Sequence, residues 1–174
     1  MSLFYPTLYR RRITDVTIED LRRQGVRGIL LDVDNTLTIH DAPDVTPEVA
    51  AWLQEMTDAG FLLAIVSNNH PDRVAPFAEK LGLPFYALSR KPLPKGFRAA
   101  AADLGLRRNE CVAIGDQIFT DIMGANLAGM TSILLEPIQP EVDQKFIVFK
   151  RKIEKPLLNT PLQRRRKESH YANG

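Results

Sequence analysis

Short runs of apolar residues alternate along the chain with longer segments in which apolar residues recur at intervals of three and four. The runs have the length of buried strands, and the longer segments have the periodicity of amphipathic helices. Five strands are predicted, at 29–33, 61–66, 84–88, 111–114 and 131–135. Because strands and helices alternate, we expect an α/β fold, a three-layer Rossmann-like sandwich around a mainly parallel five-stranded sheet.

Capping residues and glycines mark the ends of the predicted helices. Thr46 supplies an N-cap and Pro47 a first-turn proline, and the helical stripe that follows stops before Gly60. Trp52 lies on that stripe and is expected in the core. Further helices are predicted over 17–25, 71–81, 97–104 and 118–127.

Polar residues follow each of the first four predicted strands. Asp32 and Asp34 end the first, and Ser67, Lys91 and Asp116 follow the next three. Right-handed crossovers place the carboxyl ends of parallel strands on one edge of the sheet, where ligands of open α/β folds bind. We therefore expect these five side chains to converge at that edge.

The two aspartates after the first strand have the same parity. Both carboxylates are therefore expected to point into one crevice, with Val33 turned away. Two carboxylates held close together are costly to ionise unless a cation offsets their charge, so the pair predicts a metal-assisted site. The alternative is an ordinary polar turn after a strand.

The composition suits one globular domain with a basic end. Of the 174 residues, 44% are hydrophobic and 25% are charged. The net charge of +2 hides an asymmetry, because residues 145–174 hold nine Lys/Arg and two Asp/Glu whereas residues 1–144 hold fourteen and nineteen. We expect one catalytic domain over 1–144, then a basic amphipathic helix and a flexible tail over 145–174. Alternatively, the apolar stripe of that helix covers the sheet.

Membrane-spanning and secreted classes are not indicated. No run approaches the roughly 20 apolar residues that cross a bilayer, and the N-terminus lacks the basic and hydrophobic pattern of a secretion signal. Cys111, the one cysteine, begins an apolar run, so an inert buried thiol is expected. We expect a cytoplasmic protein whose basic segment either contacts the inner, anionic face of a membrane or stays solvated.

The residue types at the predicted edge suit phosphoryl transfer through a covalent intermediate. A carboxylate such as Asp32 can attack phosphorus, and a second one, Asp34, can protonate the leaving group and then deprotonate the attacking water. The charge of the transferred group calls for a cation, a hydroxyl donor and a fixed ammonium group. Asp116 would help to bind Mg²⁺, Ser67 would donate a hydrogen bond and Lys91 would neutralise charge.

Four short motifs give the chain a family resemblance: Asp-Val-Asp-Asn-Thr at 32–36, Val-Ser-Asn at 66–68, Lys-Pro at 91–92 and Gly-Asp-Gln-Ile-Phe-Thr-Asp at 115–121. They resemble the ordered motifs of haloacid dehalogenase-like (HAD) phosphatases, and the flanking residues resemble the YqeG branch of the capless IIIA subclass. The resemblance implies a HAD-like fold and a Mg²⁺-dependent phosphatase. Since the intervals between motifs leave no room for a cap domain, we expect an open site that admits a large or surface-bound phosphate monoester.

The resemblance also implies a nucleophile and a metal site. Asp32 would be the nucleophile and a metal ligand, and Asp34 would be the acid/base group whose backbone carbonyl also binds Mg²⁺. Asp116 would be a direct metal ligand, with Gly115 and Asp121 supporting the site. Asp121 is alternatively a surface acid in the first turns of a helix, where negative charge is favourable.

A second implied set binds the phosphate of the substrate. It comprises Ser67, Asn68 and Lys91, together with Thr36, which would also shape the loop. Ser67 is alternatively a helix cap. Lys95, one helical turn later, is the rival of Lys91, which is favoured because it directly follows a strand and precedes a proline.

Two histidines, His40 and His70, lie near the expected site but lack the spacing of metal ligands. They are predicted to be surface residues or neighbours of the site.

The substrate is less constrained than the reaction. The YqeG branch includes phosphatases of phosphatidylglycerophosphate, which makes this lipid the favoured substrate. The alternatives are a soluble nucleotide, sugar-phosphate or nucleic-acid-end phosphatase, a phosphoacceptor signalling module, and an RNA-binding protein that uses the basic run at 164–167. The acid pair on the first strand favours a phosphatase over a receiver domain, whose acceptor lies on a middle strand, and no aromatic residues interleave the basic run.

Overall fold

A computed structural model of the protein describes residues 3–40 and 42–139, in which strands and helices alternate. The strands are β1 (Leu8–Arg10), β2 (Gly28–Leu31), β3 (Leu62–Val66), β4 (Phe85–Tyr86), β5 (Cys111–Gly115) and β6 (Thr131–Leu135). The α-helices are α1 (Ile18–Arg23), α2 (Pro47–Asp58), α3 (Pro71–Leu81), α4 (Lys95–Asp103) and α5 (Met123–Ala128). The basic amphipathic helix predicted within 145–174 lies outside the described residues.

The strands form one sheet with the order β1-β6-β5-β2-β3-β4, and every described pairing is parallel. The predicted α/β fold is confirmed. The sheet has six strands instead of five, because β1 pairs with β6 and places Leu8 opposite Ile133. β1 is three half-buried residues at the edge of the sheet, so it lacks the apolar run by which the other strands are recognised.

The helices begin and end where the capping signals predict. Thr17 caps α1 and Thr46 caps α2 through their side-chain oxygens, and Gly82 ends α3 with a positive φ of 64°. No helix in residues 3–40 or 42–139 has the length and apolar character needed to cross a membrane.

The helix predicted over 118–127 differs from the prediction in its first turn. Residues Ile118–Ile122 form a wide π-helical turn, in which the Gln117 carbonyl accepts a hydrogen bond from Ile122 N at 3.3 Å, and α5 begins only at Met123. Such turns accommodate one more residue than an α-helical turn and recur at functional sites. Asp121 lies in this turn.

Alternate residues of the sheet face two apolar layers. Ile29 and Leu31 of β2 pack in the layer that contains Trp52, whereas Leu30 packs in the opposite layer with Phe97. Both faces of the parallel sheet are thus covered by helices, which is the arrangement that its continuous apolar strands require.

Two core predictions are confirmed. Trp52 is buried, and its indole Nε1 donates a hydrogen bond to the Val16 carbonyl at 2.8 Å. Cys111 is a buried free thiol, and burial raises its pKa to about 11, which suppresses the reactive thiolate.

The strand order fixes where a ligand can bind. Because β2 lies between β3 and β5, the chain leaves β2 on one side and later returns on the other. This reversal opens a crevice at the carboxyl ends of β2 and β5. Asp32 directly follows β2 and Asp116 directly follows β5, so both lie at the crevice.

Candidate active site

Asp32 lies at the first position after β2. Its backbone N–H donates to the Ile114 carbonyl at 3.0 Å, which continues the pairing with β5 and fixes the direction of the side chain. One carboxylate oxygen, Oδ1, lies 2.5 Å from Lys91 Nζ, and the other, Oδ2, lies 3.4 Å from the Thr36 hydroxyl, which donates to it. The Asp32 carboxylate is therefore held between an ammonium group and a hydroxyl.

Lys91 connects two carboxylates inside the protein. Its side chain is only 3% exposed, and Nζ lies 2.5 Å from Asp32 Oδ1 and 2.7 Å from Asp121 Oδ1. The Asn68 side chain holds the Lys91 backbone from both sides, since its Oδ1 accepts from Lys91 N at 2.6 Å and its Nδ2 donates to Lys91 O at 3.0 Å. Lys95, the alternative lysine, is exposed at the first residue of α4.

Three carboxylates form a cluster at this point. Asp32, Asp116 and Asp121 each offer an oxygen that lies within 4.8 Å of the other two, and Asp116 and Asp121 are buried. With Lys91 the cluster contains three acids and one base, so ionisation of all four groups leaves excess negative charge in a desolvated place. Carboxylate oxygens at this spacing suit a hard divalent cation such as Mg²⁺.

Gly115 and the π-helical turn give Asp121 its position in the cluster. A Cβ atom added at Gly115 would lie 2.3 Å from Cγ of Asp121 and 2.4 Å from its Oδ2, far inside van der Waals contact. The same Oδ2 accepts a hydrogen bond from the Gln117 backbone N–H at 3.0 Å. The absence of a side chain at 115 is therefore what allows the Asp121 carboxylate to approach the sheet.

Burial shapes the titration of the cluster. Burial, together with the charges of Asp121 and Asp34, raises the pKa of the Asp32 carboxyl to about 6 despite the opposing effect of Lys91. Burial by itself would lower the pKa of the Lys91 ammonium group, but Asp121 and Asp32 reverse that effect and raise it above its ordinary value. Lys91 thus stays charged, while a further cation would favour the ionised form of Asp32.

Asp34 lies two residues after Asp32 but has a different set of partners. The Asn69 side-chain amide donates to its Oδ2, Arg73 Nη2 lies 3.3 Å from its Oδ1, and His40 Nδ1 lies 3.7 Å from the same oxygen. Arg73 Nη2 also donates to the Ala42 carbonyl at 2.9 Å, which fixes the guanidinium between two loops. Asp34 is consequently oriented apart from the carboxylate cluster.

The loop that carries Asp34 folds tightly. The Val33 carbonyl accepts from the backbone N–H groups of residues 36, 37 and 38, and Asn35 N donates to Thr38 O at 2.7 Å. Asn35 has a φ of 61°, in the left-handed region that asparagine tolerates better than most residues. This turn brings Thr36 back toward Asp32.

Ser67 lies at the end of β3, one strand away from β2. Its Oγ accepts a hydrogen bond from the Asn69 backbone N–H at 3.1 Å, which closes a local turn. The N-cap of α3 is His70, so the alternative prediction of a helix cap at Ser67 is wrong. A hydroxyl that accepts one bond can still donate its proton to an anion. The side-chain amide of Asn68, for which the sequence predicts substrate binding, bonds to the Lys91 backbone.

The tertiary structure adds two residues to the predicted site, Asn69 and Arg73. Asn69 directly follows the Val-Ser-Asn motif, but its contact with Asp34, 35 positions earlier, is visible only in the structure. Arg73 lies on the first turn of α3, and nothing in the sequence distinguishes it from the other charged residues of that helix. His40 was predicted to be a surface residue or a neighbour of the site, and the structure places it next to Asp34, whereas His70 precedes α3 and is exposed.

Comparisons with known proteins support the family and the fold. A family model described as "Hydrolase: haloacid dehalogenase-like hydrolase" matches residues 6–129. The chain is 39% identical over 158 residues to "Probable phosphatase YqeG" of Bacillus subtilis (strain 168), covering 91% of each protein. It is 26% identical over 162 residues to "Phosphatidylglycerophosphate phosphatase 1, chloroplastic" of Chlamydomonas reinhardtii, and this match covers 88% of the chain but only 60% of the algal protein.

A solved structure supports the fold alone. The crystal structure of an uncharacterized protein from Listeria monocytogenes serotype 4b superposes with a TM-score of 0.56 at 21% sequence identity. The match covers 67% of this chain and 84% of the Listeria chain.

Without a divalent cation, Asp32 is expected to make the free energy of unfolding fall as the pH rises. Folding raises its pKa from 3.8 to about 6, so the folded state binds the proton more tightly than the unfolded state does. This stabilisation of the folded state is lost as the pH rises from the unfolded pKa to the folded one, by about 1 kcal/mol per pH unit at the steepest. Urea unfolding in chelator should show that Asp32→Asn gains more stability over the wild type at pH 8 than at pH 4. Asp58→Asn, an exposed acid on α2, is the control, and a pH-independent difference for Asp32→Asn would contradict the prediction.

Gly115→Ala is expected to weaken cation binding without unfolding the protein, because the new methyl group must displace the Asp121 carboxylate. Mg²⁺ should raise the melting temperature of the wild type and raise that of the variant much less. Gly105→Ala is the matched control, since a Cβ there meets nothing within 4 Å although its φ of 69° is strained. An equal Mg²⁺ shift in all three proteins would show that Asp121 does not support the metal.

Proposed function

The chain belongs to the haloacid dehalogenase-like hydrolases, and from this we propose that it is a Mg²⁺-dependent phosphatase that works through a phosphorylated Asp32. Its relatives are named phosphatases, so hydrolysis of phosphate monoesters is its reaction class. The same relatives argue against the phosphoacceptor and RNA-binding alternatives.

The ion pair between Lys91 and Asp32 is the observation that supports this mechanism most strongly. Lys91 Nζ lies 2.5 Å from the carboxylate oxygen that would attack phosphorus, so it is placed to neutralise the oxygens of a phosphoryl group bound to that carboxylate. Asp116 and Asp121 complete a set of oxygen ligands beside it. Asp32, Asp116 and the Asp34 backbone carbonyl would hold Mg²⁺, with Asp121 in support, and bound Mg²⁺ would supply positive charge that stabilises the transferred phosphoryl group.

The reaction would proceed in two displacements. In the first, an Asp32 carboxylate oxygen forms a bond to phosphorus while the bond from phosphorus to the ester oxygen breaks, and the Asp34 carboxyl gives its proton to that leaving oxygen. In the second, a water oxygen forms a bond to phosphorus while the bond from phosphorus to the Asp32 oxygen breaks, Asp34 takes a proton from the water, and inorganic phosphate leaves with the Asp32 carboxylate restored. Ser67 and Thr36 would donate hydrogen bonds to the phosphate oxygens during both steps.

Arg73 and Asn69 would position Asp34 for the proton transfers. They hold the Asp34 side chain from two directions, and Arg73 ties it to the Ala42 carbonyl as well. Asp32 and Asp34 are therefore two carboxylates with unlike surroundings, which suits one for attack and the other for proton transfer.

Phosphatidylglycerophosphate is the substrate that we propose. The supporting facts are the similarity to a phosphatidylglycerophosphate phosphatase, of whose length the chain spans 60%, and the short connections from Asp32 to α2 and from Ser67 to α3. No additional domain is inserted there in the described part of the chain, so the crevice is open to a large substrate. We further propose a cytoplasmic protein whose basic segment 145–174 contacts an anionic membrane.

Phosphate release tests the mechanism. With Mg²⁺, the full chain should release phosphate from phosphatidylglycerophosphate and from an aryl phosphate, and chelator or Asp32→Asn should lower the turnover by more than about a thousandfold. Lys91→Ala should lose activity on the aryl phosphate, whereas Lys95→Ala, which removes an exposed lysine four positions later, should keep it.

Two outcomes would overturn parts of this proposal. Release that survives both the chelator and Asp32→Asn would exclude the mechanism. Hydrolysis of a nucleotide or a sugar phosphate, without hydrolysis of phosphatidylglycerophosphate, would show that the proposed substrate is wrong while leaving the mechanism in place.

Arg73→Gln is expected to slow the hydrolysis of alkyl phosphates more than that of p-nitrophenyl phosphate. An alkoxide needs the proton from Asp34 in order to leave, and nitrophenolate does not, so kcat/KM should fall about 10- to 100-fold only for the alkyl substrate. Arg98→Gln is a matched control, because Arg98 donates to a backbone carbonyl, that of Leu127, at the same 2.9 Å. Equal losses on both substrates would indicate a merely structural role for Arg73.

A further inference from the structure

Exposed apolar side chains are concentrated at the catalytic edge of the sheet. Among the described residues, seven large hydrophobic side chains are exposed, and four of these lie in the loops that follow β2, β4 and β6: Ile39, Leu88, Leu93 and Ile138. This set, the apolar rim, includes the three most exposed of the seven, Leu93 at 57% and Leu88 and Ile138 at 47% each. Single exposed apolar residues are ordinary, but their gathering around a site indicates a binding surface.

Two members of the rim are hydrogen-bonded through the backbone to the loops that carry the site. Leu88 N donates to the carbonyl of Asn69, whose side chain holds Asp34, at 2.9 Å. Ile138 N donates to the carbonyl of Asn35 at 3.2 Å. The other two rim residues are close in sequence to site residues, since Leu93 follows Lys91 by two positions and Ile39 precedes His40. The rim therefore borders the crevice that contains Asp32.

The backbone holds part of the rim in a strained conformation. Leu88 and Arg90 have φ values of 47° and 53°, in the left-handed region that bulky side chains rarely adopt. Hydrogen bonds from Leu88 N to Asn69 O and from Ser89 N to Ser67 O hold this turn to the loop that follows β3. Strain of this kind is typical of segments that contact ligands.

Positive charge accompanies the apolar side chains of the loop after β4, which carries Leu88 and Leu93. Residues 80–102 contain no aspartate or glutamate, and the exposed Arg90 and Lys95 flank Leu93 on either side in sequence. A segment with apolar tips and exposed cations matches the surface of an anionic bilayer, where acyl chains lie beneath negative headgroups. A two-fold contact with a second copy of the chain would instead bring these cations close to their own equivalents.

We propose that the apolar rim inserts into the surface of an anionic phospholipid bilayer and presents the crevice to lipid headgroups. This inference rests on the proposed lipid substrate and adds the surface through which the substrate is reached. Insertion of the rim would place Asp32 above the headgroups, so that a phosphate monoester could enter the crevice while its acyl chains stay in the bilayer. It is distinct from a contact made by segment 145–174, which would tether the protein without burying the rim.

A site-specific fluorescent label tests this geometry on the full chain. Cys111 is buried, so Leu93→Cys provides one accessible thiol for an environment-sensitive nitrobenzoxadiazole label. Vesicles of phosphatidylglycerol and phosphatidylcholine should shift the emission to the blue and raise its intensity about twofold or more, whereas phosphatidylcholine alone should do neither. Leu62→Cys, at the amino end of β3 and 44% exposed, is the control that should stay unchanged.

Three results would overturn the proposal. One is co-sedimentation with anionic vesicles while the label at 93 remains in water, which would indicate tethering by another segment. The second is an equal change at 62. The third is a blue shift without vesicles that grows with protein concentration, which would identify a second copy of the chain as the occupant.

Activity separates this proposal from that of the substrate. Leu88→Asn with Leu93→Ser should lower the hydrolysis of phosphatidylglycerophosphate in vesicles roughly tenfold or more and leave the turnover of a soluble aryl phosphate unchanged. If the label enters the bilayer but the lipid is not hydrolysed, the rim is supported and the substrate is wrong. If lipid dispersed in detergent is hydrolysed but the label stays in water, the substrate is supported and the rim is wrong.

Discussion

The buried ammonium group of Lys91, held between the carboxylates of Asp32 and Asp121, is the interaction on which the site depends. Removing charges from water is costly, and a buried ion pair is stable only when its partners are well placed. Here the balance is incomplete, because Asp116 adds a third carboxylate and burial raises the pKa of Asp32 to about 6. A cluster with excess negative charge favours the binding of a cation. The same excess charge therefore lowers the stability of the cation-free protein and suits the site to bind the Mg²⁺ that we propose for it.

The architecture supplies the cluster from separate parts of the chain. The parallel sheet brings the ends of β2 and β5 to one crevice, while the π-helical turn and the missing side chain at Gly115 let Asp121 approach. Asn68 fixes the backbone on which Lys91 stands. Together, the strand ends, the π-helical turn and the Asn68 contacts leave the Lys91 ammonium group few alternative positions.

The two aspartates after β2 show how environment separates similar groups. Asp32 contacts Lys91 and Thr36, whereas Asp34 contacts Asn69, Arg73 and His40. Their two-residue spacing alone suggests a matched pair of metal-binding carboxylates. Their different partners suit the two roles that we propose, attack for the first and proton transfer for the second.

Sequence by itself determined the alternation of strands and helices, the helix caps and the convergence of Asp32, Lys91 and Asp116 at one edge, because apolar periodicity and parallel topology follow from local spacing. Only the tertiary structure decided that Lys91 and not Lys95 reaches Asp32, that Asn68 holds Lys91, and that Arg73 reaches Asp34. It also added the edge strand β1, which has no apolar run, and the wide turn at Asp121. Asp32 and Lys91 are 59 positions apart, and Asp34 and Arg73 are 39 apart. Contacts at such separations depend on how whole elements pack, which local spacing cannot specify.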